Sequence, residues 1–113
     1  MKIAFQATLA AALAVTSITA FAASSVTLDG WVSDSKCGAA HGAKGPDPDC
    51  VAKCINGGAK PVFVDADGKV WAIDDPDAVK GHYGHHVSVV ATVDAEKKQV
   101  HISKVTMLAD QGK

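Results

Sequence analysis

Three cysteines and one histidine are the residues of this chain whose types and spacing are best suited to chemistry. Cys37, Cys50 and Cys54 lie within eighteen residues, and His41 follows Cys37 by four positions. Three thiolates and one imidazole form a tetrahedral ligand set for zinc or, because sulfur is a soft ligand, for copper(I). The spacing differs from that of a standard zinc finger. Thiols also pair with one another, and an odd number leaves one over in an oxidising compartment.

A disulfide is the preferred interpretation of these cysteines, because thiols outside the cytoplasm tend to oxidise before they meet a metal ion. A bridge from Cys37 to Cys50 or Cys54 would close a loop of about 14 to 18 residues, worth roughly 3 kcal/mol in a chain-entropy account. A Cys50–Cys54 bridge within one helical turn is disfavoured by its geometry. A thiol-redox site is a third interpretation, although C-x3-C differs from the C-x2-C of thioredoxin-type dithiols.

A second group of metal-ligating residue types lies later in the chain. His82, His85 and His86 crowd one short segment, and Asp75 or Asp77 precedes it. Two imidazoles and a carboxylate would suit zinc, copper or nickel if the segment curls into a helical turn. The competing interpretation is that His86 opens a strand and that the other histidines are solvated.

Composition narrows the classes of function. The chain has no arginine, and its lysines are scattered, so bidentate recognition of phosphates and bases is not expected and nucleic acid is excluded as a partner. The sequence contains no phosphate-binding glycine loop, no haem attachment motif and no GxSxG motif. We therefore assign no catalytic residue and no organic cofactor, and we expect an unidentified envelope protein or a small ligand as the partner.

The first 22 residues are expected to be a signal peptide. Lys2 precedes an apolar stretch, and Ala20 and Ala22 supply the small residues that signal peptidase requires. The apolar stretch is too short for a membrane span. Residues 23–113 then form one domain in the periplasm or outside the cell, with 10 lysines against 12 acidic residues. No integral membrane segment is expected after cleavage.

Hydrophobic periodicity predicts a mostly β fold with one short helix. Residues 26–35, 61–65, 70–73, 87–93 and a final segment from 100 alternate or read as short apolar runs. Val100 and Ile102 share one parity while Val105 falls on the other, which predicts a bulge near Ser103. Asp47-Pro48 predicts the start of a helix over residues 48–56, and Asp67-Gly68 predicts a hairpin turn. We expect a five-stranded OB-like antiparallel barrel with its helix between the first and second strands; an SH3-like barrel or a small sandwich is the alternative.

A longer string gives a resemblance to a known family. Residues 30–38 read GWVSDSKCG, and the C-x3-C pair, Gly58-Ala59-Lys60 and the hairpin over 62–71 follow it. The chain resembles small exported bacterial proteins of unassigned function that carry an SDSxCG signature followed by C-x3-C. The resemblance implies an exported barrel-like domain in which the three cysteines act as a unit. It implies no catalytic residue.

Three functions follow from these observations. The first is a non-enzymatic, disulfide-stabilised binding or interaction module of the bacterial envelope. The alternative is a periplasmic zinc- or copper-binding protein that uses Cys37, His41, Cys50 and Cys54, with the histidines of residues 82–86 as a further set. The third is a thiol-redox protein.

Overall fold

The computed structural model of the protein describes residues 25–39 and 45–111. The predicted signal peptide and His41 lie outside these residues. The elements follow one another along the chain in this order: β1 Ser25–Asp34, α1 Pro48–Asn56, β2 Pro61–Asp65, β3 Val70–Ile73, a 3-10 turn Pro76–Val79, β4 His86–Asp94 and β5 Gln99–Met107. Over the described residues, the mostly β composition and the position of α1 between β1 and β2 confirm the coarse prediction.

The five strands form one sheet that closes into a ring in the order β1-β2-β3-β5-β4. Four of the strand pairs are antiparallel, but β3 and β5 are parallel, with Ala72 opposite Gln99 and Ile73 opposite Val100. The expectation of an entirely antiparallel sheet was therefore wrong. The reason is topological: strand directions must alternate in an antiparallel ring, and a closed ring of five strands, an odd number, must contain a parallel pair.

A bulge lies in β5 where the sequence predicts one. Val90 is opposite Lys104, whereas its neighbour Ala91 is opposite Ile102, so Ser103 is the extra residue. The Ser103 hydroxyl donates a hydrogen bond of 3.1 Å to the Val90 carbonyl. Because a bulge shifts the side-chain parity by one, it accounts for the change of face between Ile102 and the residues after it.

The core lies inside the ring and consists mainly of valines around one aromatic ring. Its buried members are Val32, Phe63, Ile73, Val79, Val87, Val89, Ala91, Val100 and Ile102. Phe63 is the largest fully buried side chain and lies opposite Trp71 on the neighbouring strand. Val26 is 41% exposed although its parity matches that of Val32. The core-facing alternation of β1 therefore begins only after the first residues of the strand.

The β2–β3 hairpin is organised by one carboxylate. Asp65 accepts hydrogen bonds from the backbone N–H groups of Asp67 and Lys69 through Oδ1 and from the Trp71 indole through Oδ2, each at 2.9 Å. Partial burial acts to raise the pKa of Asp65, but these hydrogen bonds and the Lys69 charge outweigh it and lower the pKa below 3.8. The ionised form is thus the one that the folded hairpin stabilises.

Replacing Asp65 with asparagine should destabilise the domain by about 1–2 kcal/mol at pH 7, because charge-assisted hydrogen bonds are lost. A lowered folded pKa contributes stability above the unfolded value near 3.8, and this contribution disappears as the pH falls through the folded value. The difference in the free energy of unfolding between the wild type and the variant should therefore decrease as the pH falls from about 5 to about 2. Urea unfolding at each pH, monitored by tryptophan fluorescence, measures this difference. Asp67→Asn in the same turn is the matched control. A stability difference between the wild type and Asp65→Asn that is equal at all pH values would refute the stabilising role of the ionised Asp65 carboxylate.

Candidate metal centre

The turn after β1 holds the first part of the site. Asp34 is fully buried at the end of the strand, and its Oδ1 accepts hydrogen bonds of 2.9 Å from the backbone N–H groups of Lys36 and Cys37. Gly38 closes the turn by donating to the Asp34 carbonyl at 2.8 Å. Such an aspartate turn needs a short side chain that can reach the backbone two and three residues ahead. It places the Cys37 thiol beside the Asp34 carboxylate.

Helix α1 supplies the other two thiols. Asp47 caps its start through a hydrogen bond from the Asp49 N–H, and Pro48 occupies the first turn. Residues four apart lie on one face of a helix, so Cys50 and Cys54 point the same way. The Cys54 carbonyl also accepts a hydrogen bond of 2.9 Å from Ala59. The helix boundaries and the shared face of the two cysteines confirm the predictions from the sequence.

Packing against the strands positions α1. Val51, one residue after Cys50, is fully buried, and the helix packs against β1. The start of the helix rests on the segment before β4. Gly84 lies so close that an added Cβ would fall 2.4 Å from the Pro48 Cα. The Gly84 N–H in turn donates to the Val32 carbonyl at 2.7 Å, which ties this segment to β1.

These elements bring three ligand-bearing side chains together. Asp34, Cys37 and Cys54 each present one ligand atom, and all three atoms lie within 4.8 Å of one another. Among residues 25–39 and 45–111 this is the one group of three or more metal-ligating residue types with such spacing. Cys50 lies outside the tight group, next to Cys54. All three cysteines are free thiols, and the disulfide proposed from the sequence stays a prediction.

The second carboxylate oxygen of Asp34 distinguishes the group of Asp34, Cys37 and Cys54 from a chance cluster. Asp34 Oδ2 is buried and has no hydrogen-bond partner within the described part of the chain. A buried polar atom without a partner costs about 1–3 kcal/mol, and more if it carries charge. Oδ1 already accepts two hydrogen bonds of the turn, so Oδ2 is the oxygen that is free to bind a ligand. A bound cation would supply the missing interaction.

Cys37 and Cys50 lie in an environment that disfavours their thiolate forms. Loss of hydration, followed by the nearby Asp34 carboxylate and the Cys54 thiol, raises the pKa of Cys37 above 9.0. Loss of hydration and the Cys54 and Cys37 thiols raise the pKa of Cys50 in the same direction. Reactive redox cysteines show the opposite shift, toward a stable thiolate at neutral pH. A cation that binds the sulfur atoms of Cys37 and Cys50 must therefore displace their protons.

The three groups fit a tetrahedral ion of the size of zinc. With bonds of about 2.3 Å to sulfur and about 2.0 Å to oxygen, ligand atoms in such a site lie roughly 3.5–3.8 Å apart. The separations of up to 4.8 Å in the protein thus need a contraction of at most about 1.0–1.3 Å around an ion. A carboxylate among the ligands suits zinc better than copper(I), which prefers sulfur alone. Cys50 interacts with the Cys54 thiol but lies outside this group of three.

The histidine segment divides into two parts, and the structure does not bring its three rings together. The rings of His82 and His85 meet edge to face with centroids 6.0 Å apart, and the Nδ1 atom of each is buried without a hydrogen-bond partner in the described residues. His86 instead stacks on Trp31 at 4.5 Å, and its Nδ1 donates to the Asp110 carbonyl. Its place at the start of β4 agrees with the prediction that it opens a strand.

Asp75, one of the two aspartates expected to complete the histidine site, is occupied elsewhere. Asp75 caps the 3-10 turn by accepting a hydrogen bond of 3.2 Å from the Asp77 N–H. Residues 82–86 contribute to no group of three metal-ligating side chains among the described residues. The cysteine group is consequently the stronger candidate, and His41 lies outside the described residues.

Asp34 is the site residue that reasoning from the sequence missed. Nothing in the sequence shows that this carboxylate is buried. A usable signal existed in the Ser33-Asp34-Ser35 string directly before Cys37, because aspartates of this type form turns that bind the next backbone N–H groups. Such a turn would have placed the carboxylate next to the cysteine.

Comparison with known proteins adds no identity: no protein-family model, curated protein or solved structure matches this chain. Within residues 25–39 and 45–111, none of the helices is both long and apolar enough to cross a bilayer. The function must therefore be argued from the geometry of the site.

Proposed function

We propose that this protein is a non-enzymatic, exported metal-binding protein of the bacterial envelope, and that its ligand is a thiophilic transition-metal ion, with zinc preferred over copper(I). Asp34, Cys37 and Cys54 hold the ion. The observation that carries the proposal is a buried Asp34 carboxylate that lies within 4.8 Å of two free thiols and has one oxygen, Oδ2, without a hydrogen-bond partner among the described residues. A disulfide between the thiols would leave that oxygen unsatisfied, whereas a cation satisfies all three groups together.

The proposal includes an OB-like barrel fold and export of the protein from the cytoplasm. The strand order and the parallel pairing of β3 with β5 support an OB-like five-stranded barrel. The leader-like residues 1–22 and the likeness to exported proteins with the SDSxCG signature support export. A small domain gains stability from a bound ion much as it does from a disulfide, because the ion binds only the folded chain.

Metal titration of the reduced mature protein tests the proposal. The protein is produced with its export signal, reduced with a phosphine under argon, and titrated with zinc against a chromophoric chelator. We expect one ion per chain with a dissociation constant below about 1 μM, which corresponds to roughly 8 kcal/mol. Cobalt(II) in place of zinc should give the ultraviolet thiolate-to-metal charge-transfer absorption of bound sulfur.

A double variant distinguishes the two candidate ligand groups. His82→Gln with His85→Gln should bind zinc as the wild type does, since neither ring belongs to the cysteine group. Loss of binding in this variant would move the site to the histidines. Reduced wild-type protein that takes up no ion, together with isolated protein that is two protons light and has one alkylatable thiol, would establish the disulfide-stabilised module instead.

A further inference from the structure

The metal-ligating groups lie in order of decreasing exposure. Cys50 is exposed, Cys54 and Cys37 are partly buried, and the Asp34 side chain is fully buried. Cys54 is the common neighbour: it interacts with Cys50 on one side and belongs with Cys37 and Asp34 to the tight group on the other. The potential ligands therefore extend from the exposed Cys50 through Cys54, on the same face of α1, to Cys37 and the buried Asp34 carboxylate.

Resting on the proposed function, we propose that Cys50 is an exchange ligand, which receives the ion from a thiol-bound metal carrier and passes it to Cys54, Cys37 and Asp34. Its partner class is a small molecule or protein that presents the metal on an exposed thiolate. Cys50 is suited to this step because it is the exposed residue of the three cysteines, whereas Cys37 and Cys54 are partly buried. The buried Asp34 Oδ2, which has no partner until the ion arrives, marks the end of the transfer.

The exchange is balanced without an oxidant or a reductant. The Cys50 sulfur bonds to the metal while the carrier sulfur is still attached, and the carrier bond then breaks. The proton of Cys50 goes to the departing carrier, which leaves as a thiol, and the ion keeps its oxidation state. Cys54 and Cys37 then bind the ion in turn, each releasing one proton as its sulfur binds. The Cys50–metal bond breaks, the Cys50 thiolate takes up one of these two protons, and the other proton goes to solvent. Because Cys54 lies one helical turn from Cys50, the second step is intramolecular.

Time-resolved native mass spectrometry of zinc uptake tests this role. Reduced full-length mature protein is mixed either with zinc–glutathione or with a free zinc salt, and the zinc-bearing fraction is followed over time. Cys50→Ser should slow uptake from zinc–glutathione by at least about tenfold, since the accepting thiol is no longer held beside Cys54. Uptake from free zinc should change little. Lys53→Ser, an exposed substitution on the same helix, should leave both rates unchanged.

The outcomes separate this inference from the proposal on which it rests. Wild-type protein that takes up zinc from neither source contradicts metal binding itself. If the wild type loads and Cys50→Ser loads equally fast from zinc–glutathione, the exchange role is refuted while metal binding stands. If Cys50→Ser loses uptake from both sources, Cys50 is a permanent ligand, and the exchange role is again refuted.

Discussion

Replacing Asp34 with asparagine is expected to weaken zinc binding by at least about tenfold while leaving the metal-free fold as stable as the wild type or more so. Asparagine keeps the oxygen that accepts the two hydrogen bonds of the turn, and it replaces the unpartnered oxygen with an amide NH2 group. That group cannot bind a cation. It can, however, donate weakly to the neighbouring sulfur atoms, so the metal-free protein loses an unsatisfied oxygen.

Asp34→Ala provides the contrast. Alanine removes both oxygens, so the backbone N–H groups of Lys36 and Cys37 lose their acceptor, and we expect a loss of about 2–3 kcal/mol. Urea unfolding in the presence of chelator and phosphine gives the stability of each metal-free variant, and competition titration gives its zinc affinity. The assignment of Oδ2 as a ligand fails if Asp34→Asn binds zinc as tightly as the wild type. A stability loss as large as that of Asp34→Ala would show that Oδ2 already has a partner.

Gly84→Ala is expected to be the most disruptive single methyl addition near the site. Gly84 has a φ of +76°, and an added Cβ would fall 2.4 Å from the Cα and 2.6 Å from the N of Pro48. These are backbone atoms, which cannot rotate away, and the hydrogen bond to Val32 holds Gly84 in place. Helix α1 must therefore move, and overpacking of this kind costs about 1–3 kcal/mol beyond the backbone strain.

Gly81→Ala is the matched control because its backbone conformation is similar and its surroundings are open. Its φ is +88°, and no atom lies within 4 Å of an added Cβ. Only the left-handed conformation is penalised there, at about 1–2 kcal/mol. Chemical unfolding should show the larger loss for Gly84→Ala, and zinc affinity should fall in that variant alone, since displacement of α1 separates Cys54 from Cys37. Equal stability losses in the two variants would mean that contact with Pro48 does not position the helix.

Local signals were sufficient for much of the secondary structure. Asp47 and Pro48 begin α1 as predicted, because their side chains satisfy or remove backbone N–H groups that no helical carbonyl can reach. The turn at Gly68, with a φ of +82°, joins β2 to β3. Even the bulge at Ser103 follows from side-chain parity. Each of these features depends on residues within a few positions of one another.

Features that join distant segments were predicted poorly. The parallel pairing of β3 with β5 has no local signal, since either strand direction would bury Val100. Adjacent histidines in the sequence suggested a common site. At the start of β4, however, His86 stacks on Trp31 while the rings of His82 and His85 meet each other. His82 and His85 precede β4, whereas His86 is its first residue, and the pairing of β1 with β4 places His86 opposite Trp31.

The sequence by itself determined the residue types of the candidate site, the helix that aligns Cys50 with Cys54, and the strands that carry the core. Only the tertiary structure decided that Cys37 meets Cys54 and that Asp34 is buried beside them with one oxygen unpartnered. The physical reason is that the burial of Asp34 and its proximity to the two cysteines depend on how α1 packs against β1 and Gly84. That packing is set by contacts between segments far apart in the chain, whereas caps, turns and side-chain periodicity are properties of neighbouring residues.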